Sequence, residues 1–179
     1  MNYLAYLLLF CFLATIPAAN WLIGNVGVKC IPNGPCLVPV GFGLMAPSGV
    51  LMIGAALVLR DAVHSTLGWK WAVGAILAGA ALSFGVAPAK IALASGVAFL
   101  ISEMADLLVY APLRERRLML AVVASGFVGA IVDSGVFLWI AFGNLDFLTG
   151  QVVGKMWMTL LAIPLIAGFR SRAILRGRS

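Results

Sequence analysis

The chain has 179 residues, of which 63% are hydrophobic and only 10% charged, and its mean hydropathy is +1.10. A soluble domain carries about a quarter charged residues, so a water-soluble globular domain is excluded, and the apolar content excludes disorder. The net charge of +6 does not point to nucleic acid, because the basic residues sit in short clusters between apolar runs, the pattern of membrane topology.

Six runs have the roughly 20 mainly apolar residues that a spanning helix needs. They are Tyr3–Ile23, Pro47–Thr66, Trp69–Val86, Lys90–Ala111, Leu118–Phe142 and Leu148–Phe169. The runs are continuous, whereas barrel strands would alternate over about 10 residues. The expected fold class is therefore all-α: residues 1–179 form one polytopic membrane domain, a six-helix bundle. Leu4–Ile16 followed by Pro17-Ala18-Ala19 looks like a signal-peptide core, but no Lys or Arg precedes it, so the first span is expected to be retained. Lys70, Arg114, Arg116, Arg117, Arg170, Arg172, Arg176 and Arg178 fall on one side, against Lys29 and Lys90 on the other. The positive-inside rule then puts both termini in the cytoplasm.

That topology leaves Gly24–Ala46 as a long external loop containing Cys30-Ile31-Pro32-Asn33-Gly34-Pro35-Cys36. Pro and Gly favour a turn that brings the two thiols together, and a disulfide is chemically permitted outside; two free thiols are the alternative. Small residues recur every four positions at Ala75/Gly79/Ser83, Ala92/Gly96, Ser125/Gly129 and Gly150/Gly154, which lets helices approach closely.

The informative residues are the polar ones inside the spans. Each charge at mid-bilayer costs about 2.5–3.5 kcal/mol, on the order of 15 kcal/mol together, so these side chains should pair or line a watery path. Arg60, Asp61 and His64 fall near the cytoplasmic end of the second span. Asp61 with Arg60 also suits an interfacial pair that snorkels. His64 reads as interfacial, and the lack of a second His argues against a transition-metal site. Glu103, Asp106 and Tyr110 step along one face of the fourth span. Ser125, Gly129, Asp133 and Phe137 step by four along the fifth, and Gln151, Lys155 and Met158 share a face of the sixth. Asp133 and Lys155 also read as a buried structural pair. No phosphate-binding loop, Ser-His-Asp set or His-Glu-x-x-His motif is visible, so no enzyme, cofactor or metal is expected.

The order and spacing of these residues resemble the queuosine-precursor transporter family, also called the vitamin uptake transporter family. The likeness runs through Asn20, Pro47, Asp61 with Gly68, and Ser102-Glu103-x-x-Asp106-x-x-x-Tyr110-x-x-Leu113-Arg114. It continues through Ser125-x-x-x-Gly129-x-x-x-Asp133-Ser134-x-x-Phe137, Ile140-Ala141-Phe142, Gln151-x-x-x-Lys155 and Pro164. The resemblance implies a six-span inner-membrane protein that takes up 7-cyano-7-deazaguanine or 7-aminomethyl-7-deazaguanine without an obligatory ATPase. A substrate-binding subunit of a vitamin-type importer, energised by a separate partner, is the alternative.

The deazaguanine edge offers N–H donors that a carboxylate or an amide accepts, and Tyr110, Phe137 or Trp157 suits stacking on the ring. The expected substrate-binding set is Asn20, Glu103, Asp106, Tyr110, Asp133, Gln151 and Lys155. The five charged and amide groups from Glu103 to Lys155 are expected to line one central cavity, with Asn20 at its outer end and Lys155 neutralising Asp133. The expected partners are the small-molecule solute and the lipid bilayer, with a homodimer open and no nucleic acid.

Overall fold

A computed structural model describes residues 3–114, 118–158 and 160–161, apart from the side chains of residues 61, 65, 107, 110, 111, 114 and 118–123. The basic residues Arg116, Arg117, Arg170, Arg172, Arg176 and Arg178, with Pro164, lie outside the described residues.

Five helices and a small sheet come first in the chain: α1 (Tyr3–Asn25), β1 (Lys29–Cys30), β2 (Cys36–Gly41), β3 (Leu44–Pro47), α2 (Val50–Leu67), α3 (Trp69–Ser83), α4 (Ala89–Arg114) and α5 (Leu118–Phe142). A sixth helix, α6, covers residues 148–158. The predicted and observed helices correspond one to one, because long apolar runs broken by Gly and Pro leave little choice of boundary. Gly68 alone joins α2 to α3, at φ +92°, with its N–H donating to the His64 carbonyl at 3.0 Å; such a φ suits glycine. Gly143 closes α5 in the same way, at φ +76°, with its N–H donating to Trp139 O at 3.0 Å.

The segment expected as an external loop is instead an antiparallel sheet in the order β1-β2-β3, which adds strands to the all-α expectation. Its cause is legible afterwards. Leu37 to Val40 is a β-prone run between two turns, and a β-turn closes the first hairpin. Gly34 N–H donates to Ile31 O at 2.9 Å, with Pro32 at the second position and Asn33 at φ +57° at the third. Ile31 N–H donates to Pro35 O at 3.1 Å, so Cys30 and Cys36, the next pair in the ladder, face each other at a non-hydrogen-bonded position. That is where opposed side chains come closest. The two are joined in a disulfide, with Cα atoms 3.8 Å apart.

Glycines set the helix spacing. A Cβ on Gly79 of α3 would stand 2.6 Å from Ile16 Cδ1 of α1, and one on Gly54 of α2 would stand 2.2 Å from Met158 Cβ of α6. On α6, Gly150 lies under the β3 backbone, where a Cβ would be 2.0 Å from Met45 O, and Gly154 lies under Val50. The small-residue stripes thus do what their spacing implied. Two apolar clusters fill the bundle. One gathers Phe12, Ile16, Ala56, Val63, Ile76 and Phe99, and the other gathers Ile23, Ala94, Ala98, Phe137 and Leu138 toward the sheet end.

Candidate functional site

Each helix contributes few polar groups to the interior, and these are concentrated at three levels. Nearest the sheet, Asn20 of α1 is 1% exposed. Its Nδ2 donates to Ser83 Oγ of α3 at 2.9 Å, and its Oδ1 accepts from Ser95 Oγ of α4 at 2.6 Å. Ser83 in turn donates to Gly79 O at 2.8 Å. One buried amide therefore ties three helices together.

In the middle lies a cavity lined by Thr15, Ala19, Ile53, Ala56, Ser95, Phe99, Asp133 and Phe137, among others. It encloses about 430 Å³ of space between atoms, counting its mouth, and it is narrow: its centre has room for roughly one or two waters. Asp133 of α5 supplies the carboxylate in its wall. Behind that wall, Lys155 of α6, 1% exposed, forms a salt bridge with Asp133 and donates to Ser134 Oγ at 2.6 Å. Ser134 Oγ donates to Ala130 O at 2.7 Å. The buried charges are thus matched one to one and supported by a hydroxyl, the condition under which desolvated ions are tolerated.

One turn before Lys155, Gln151 is also 1% exposed, and its Oε1 is buried with no hydrogen-bond partner among the described residues. An unsatisfied buried acceptor costs about 1–3 kcal/mol; Gln151 is not among the residues that line the cavity.

At the far level from the sheet, Arg60 of α2 forms a salt bridge with Glu103 of α4. One turn further along α4, Asp106 is half-buried and faces Gly129 of α5, whose Cβ position is 3.5 Å from Asp106 Cβ. Asp106 makes no hydrogen bond or ion pair among the described residues. Tyr110 lies in α4, with its side chain outside the described residues, and the same holds for the side chain of Asp61 in α2. His64 is exposed near the end of α2.

Of the six expected binding residues whose side chains are described, only Asp133 is in the cavity wall. Lys155 sits behind it, Asn20 joins the network that includes the wall residue Ser95, and Glu103 and Asp106 lie beyond the cavity toward the other end. Three contributors were not in the expected binding set: Ser83, Ser95 and Ser134. Their signal was present, since each is a hydroxyl within a mainly apolar run. Among the described residues no three His, Cys, Asp or Glu side chains group as a metal site.

Residues 83–169 match the family model described as "Putative vitamin uptake transporter". This match covers 87 of the 179 residues and supports the vitamin uptake transporter family. The matched stretch contains Glu103, Asp106, Asp133, Gln151 and Lys155, whereas Asn20 and Arg60 precede it. The family is one of transporters. Two helices, Tyr3–Asn25 and Ala124–Phe142, have the length and apolarity to cross a bilayer. No curated protein and no solved structure matches the chain significantly.

Proposed function

We propose that this chain is a member of the vitamin uptake transporter family, a multi-span inner-membrane transporter that takes up a queuosine precursor, 7-cyano-7-deazaguanine or 7-aminomethyl-7-deazaguanine. The membrane reading is supported by the placement of aromatic side chains. Exposed Tyr3, Trp69 and Trp71 cluster at one end of the bundle, with Tyr6 and Trp71 edge-to-face at 6.2 Å. Exposed Trp21 and Trp139 stand at the other end. From Tyr3 to Trp21 the rise along α1 is about 27 Å, close to the ~30 Å of a hydrocarbon core flanked by aromatic belts. The charge bias of the loops puts the termini in the cytoplasm and the disulfide sheet outside.

The observation that carries the transport reading is the cavity wall at Asp133. Asp133, a desolvated acid balanced by Lys155, is one of the residues that line an interior space. The guanine-like edge of the solute offers adjacent N–H donors, which a carboxylate accepts as a pair. The spare Gln151 Oε1 is a further acceptor, and Phe137 offers an aromatic face in the same wall. Asp106, without a hydrogen bond or ion pair among the described residues, is a further carboxylate on the path. The cavity is narrow, with room at its centre for roughly one or two waters, so a flat ring enters only when helices part.

Uptake of each labelled deazaguanine by the purified chain in liposomes tests the proposal. Accumulation that unlabelled deazaguanine suppresses and an unrelated vitamin does not is the expected result. No uptake of either compound by folded protein would refute it. Uptake appearing only after an ATPase partner is added would favour the importer-subunit reading.

A further inference from the structure

Two crosslinks bracket the cavity, and they differ in kind. At the sheet end the bracket is neutral: the amide of Asn20 holds Ser83 and Ser95, and Ser95 is itself a wall residue. At the other end the bracket is ionic. Ala56 of α2 and Phe99 of α4 form part of the cavity wall. One helical turn further from the sheet on each of those helices stand Arg60 and Glu103, which form the salt bridge. The backbones of α2 and α4 make few close approaches, unlike those of α1 with α2 or α4 with α5. Side chains therefore span the gap between α2 and α4 at this level. Beside it, Phe12 of α1 meets Phe99 of α4 in a tilted contact, ring centres 6.1 Å apart.

We propose that the Arg60–Glu103 pair is the cytoplasmic gate of the transport path: it closes the gap between α2 and α4 and must open for solute to leave. The inference rests on the transport reading, and it assigns Arg60, which the family match does not cover, a direct part in transport. It also separates Glu103 from solute recognition, leaving that to Asp133, Gln151 and Asp106.

The mechanism follows from the chemistry of the two brackets. Partly buried opposite charges attract over a longer range than neutral hydrogen bonds do, so the ionic bracket recloses from a wider opening. Arg60 is 9% exposed and its side chain is long. Helices α2 and α4 can therefore separate by a rotamer change at Arg60, without breaking the glycine contacts that hold α2 to α6.

The test needs no solute, so its outcome is separate from that of the uptake assay. In a Cys11→Ser background, Ala56→Cys or Ile53→Cys places a thiol in the cavity wall. A membrane-impermeant thiol reagent is applied to vesicles of each orientation, and labelling rates are compared. With the pair intact, labelling is slow from both sides. Arg60→Met and Glu103→Gln should each raise the rate from the side opposite the disulfide sheet by roughly tenfold or more, the change that about 1.4 kcal/mol of lost closure gives. The charge swap Arg60→Glu with Glu103→Arg should restore slow labelling, which a merely structural role for either residue alone would not predict. Unchanged rates in both single variants would overturn the proposal. So would an equal rise from the sheet side, which marks general loosening. If Arg60→Met fails to fold, Glu103→Gln and the swap carry the same comparison.

Discussion

Replacing Lys155 by Met removes the ammonium while keeping an unbranched chain of similar length. Lys155 and Asp133 side chains are 1% and 8% exposed, so neither solvent nor salt screens them much. Unit charges about 3 Å apart at an effective dielectric near 20 attract by about 5 kcal/mol, in line with the roughly 3–5 kcal/mol lost when one partner of a buried pair is removed. Lys155→Met also ends the bond to Ser134 and leaves the Asp133 carboxylate buried beside apolar wall residues. The expected loss of stability is therefore about 3–5 kcal/mol, and Asp133→Asn should cost a similar amount because it strands the ammonium. Combining the two removes both charges at once, and the double variant should lose about 2 kcal/mol or more less than the sum. The assay is denaturant unfolding in mixed micelles for all four proteins of the cycle. Single variants that each lose less than about 1 kcal/mol, with additive effects, would refute the picture of a desolvated pair. The double variant separates stability from function: it should fold, yet transport poorly, because the wall has lost its carboxylate.

Gly54→Ala should destabilise by about 1–3 kcal/mol through overpacking, since its Cβ would meet Met158 Cβ at 2.2 Å. Gly129→Ala, whose nearest neighbour would be 3.5 Å away, should be neutral or slightly stabilising through helix propensity; thermal unfolding in micelles compares the two. Thiol counting under denaturing conditions should find one reactive cysteine, Cys11, before reduction and three after it; three before reduction would exclude the Cys30–Cys36 bond. Asp106→Asn should lower deazaguanine uptake severalfold at unchanged expression and folding, and normal uptake would remove Asp106 from the solute path. A reporter at the C-terminus should be active only in the cytoplasm, and an exported signal would reverse the orientation.

Local features made much of the architecture legible. Six apolar runs, broken at Gly68 and Gly143, became six helices, because burying backbone polar groups in apolar surroundings leaves helix as the simplest way to pair them. The small-residue stripes marked the close helix contacts, and the Cys30–Cys36 spacing marked the turn, though not the three strands around it. Loop residues from Leu37 to Pro47 contain Pro and Gly, and their strand pairing depends on α1 packing against β2 and α6 lying against Ala46.

The candidate site divides along the same line. The list of polar residues within the spans could be read from the chain, and so could their spacing along each helix. Spacing did not say which neighbour each would meet. Glu103 and Asp106 are three residues apart and read as one face, yet a three-residue step turns the helix by only about 60° short of a full turn. That offset was enough to send Glu103 toward Arg60 of α2 and Asp106 toward Gly129 of α5. Likewise, Asn20 and Gln151 are both amides at helix positions that could serve a solute. Tertiary structure alone satisfied both ends of Asn20 with Ser83 and Ser95 and left the Gln151 oxygen without a partner among the described residues. The physical reason is that hydrogen-bond capacity belongs to the residue and is written in the sequence, whereas its use depends on distances between helices far apart in the chain.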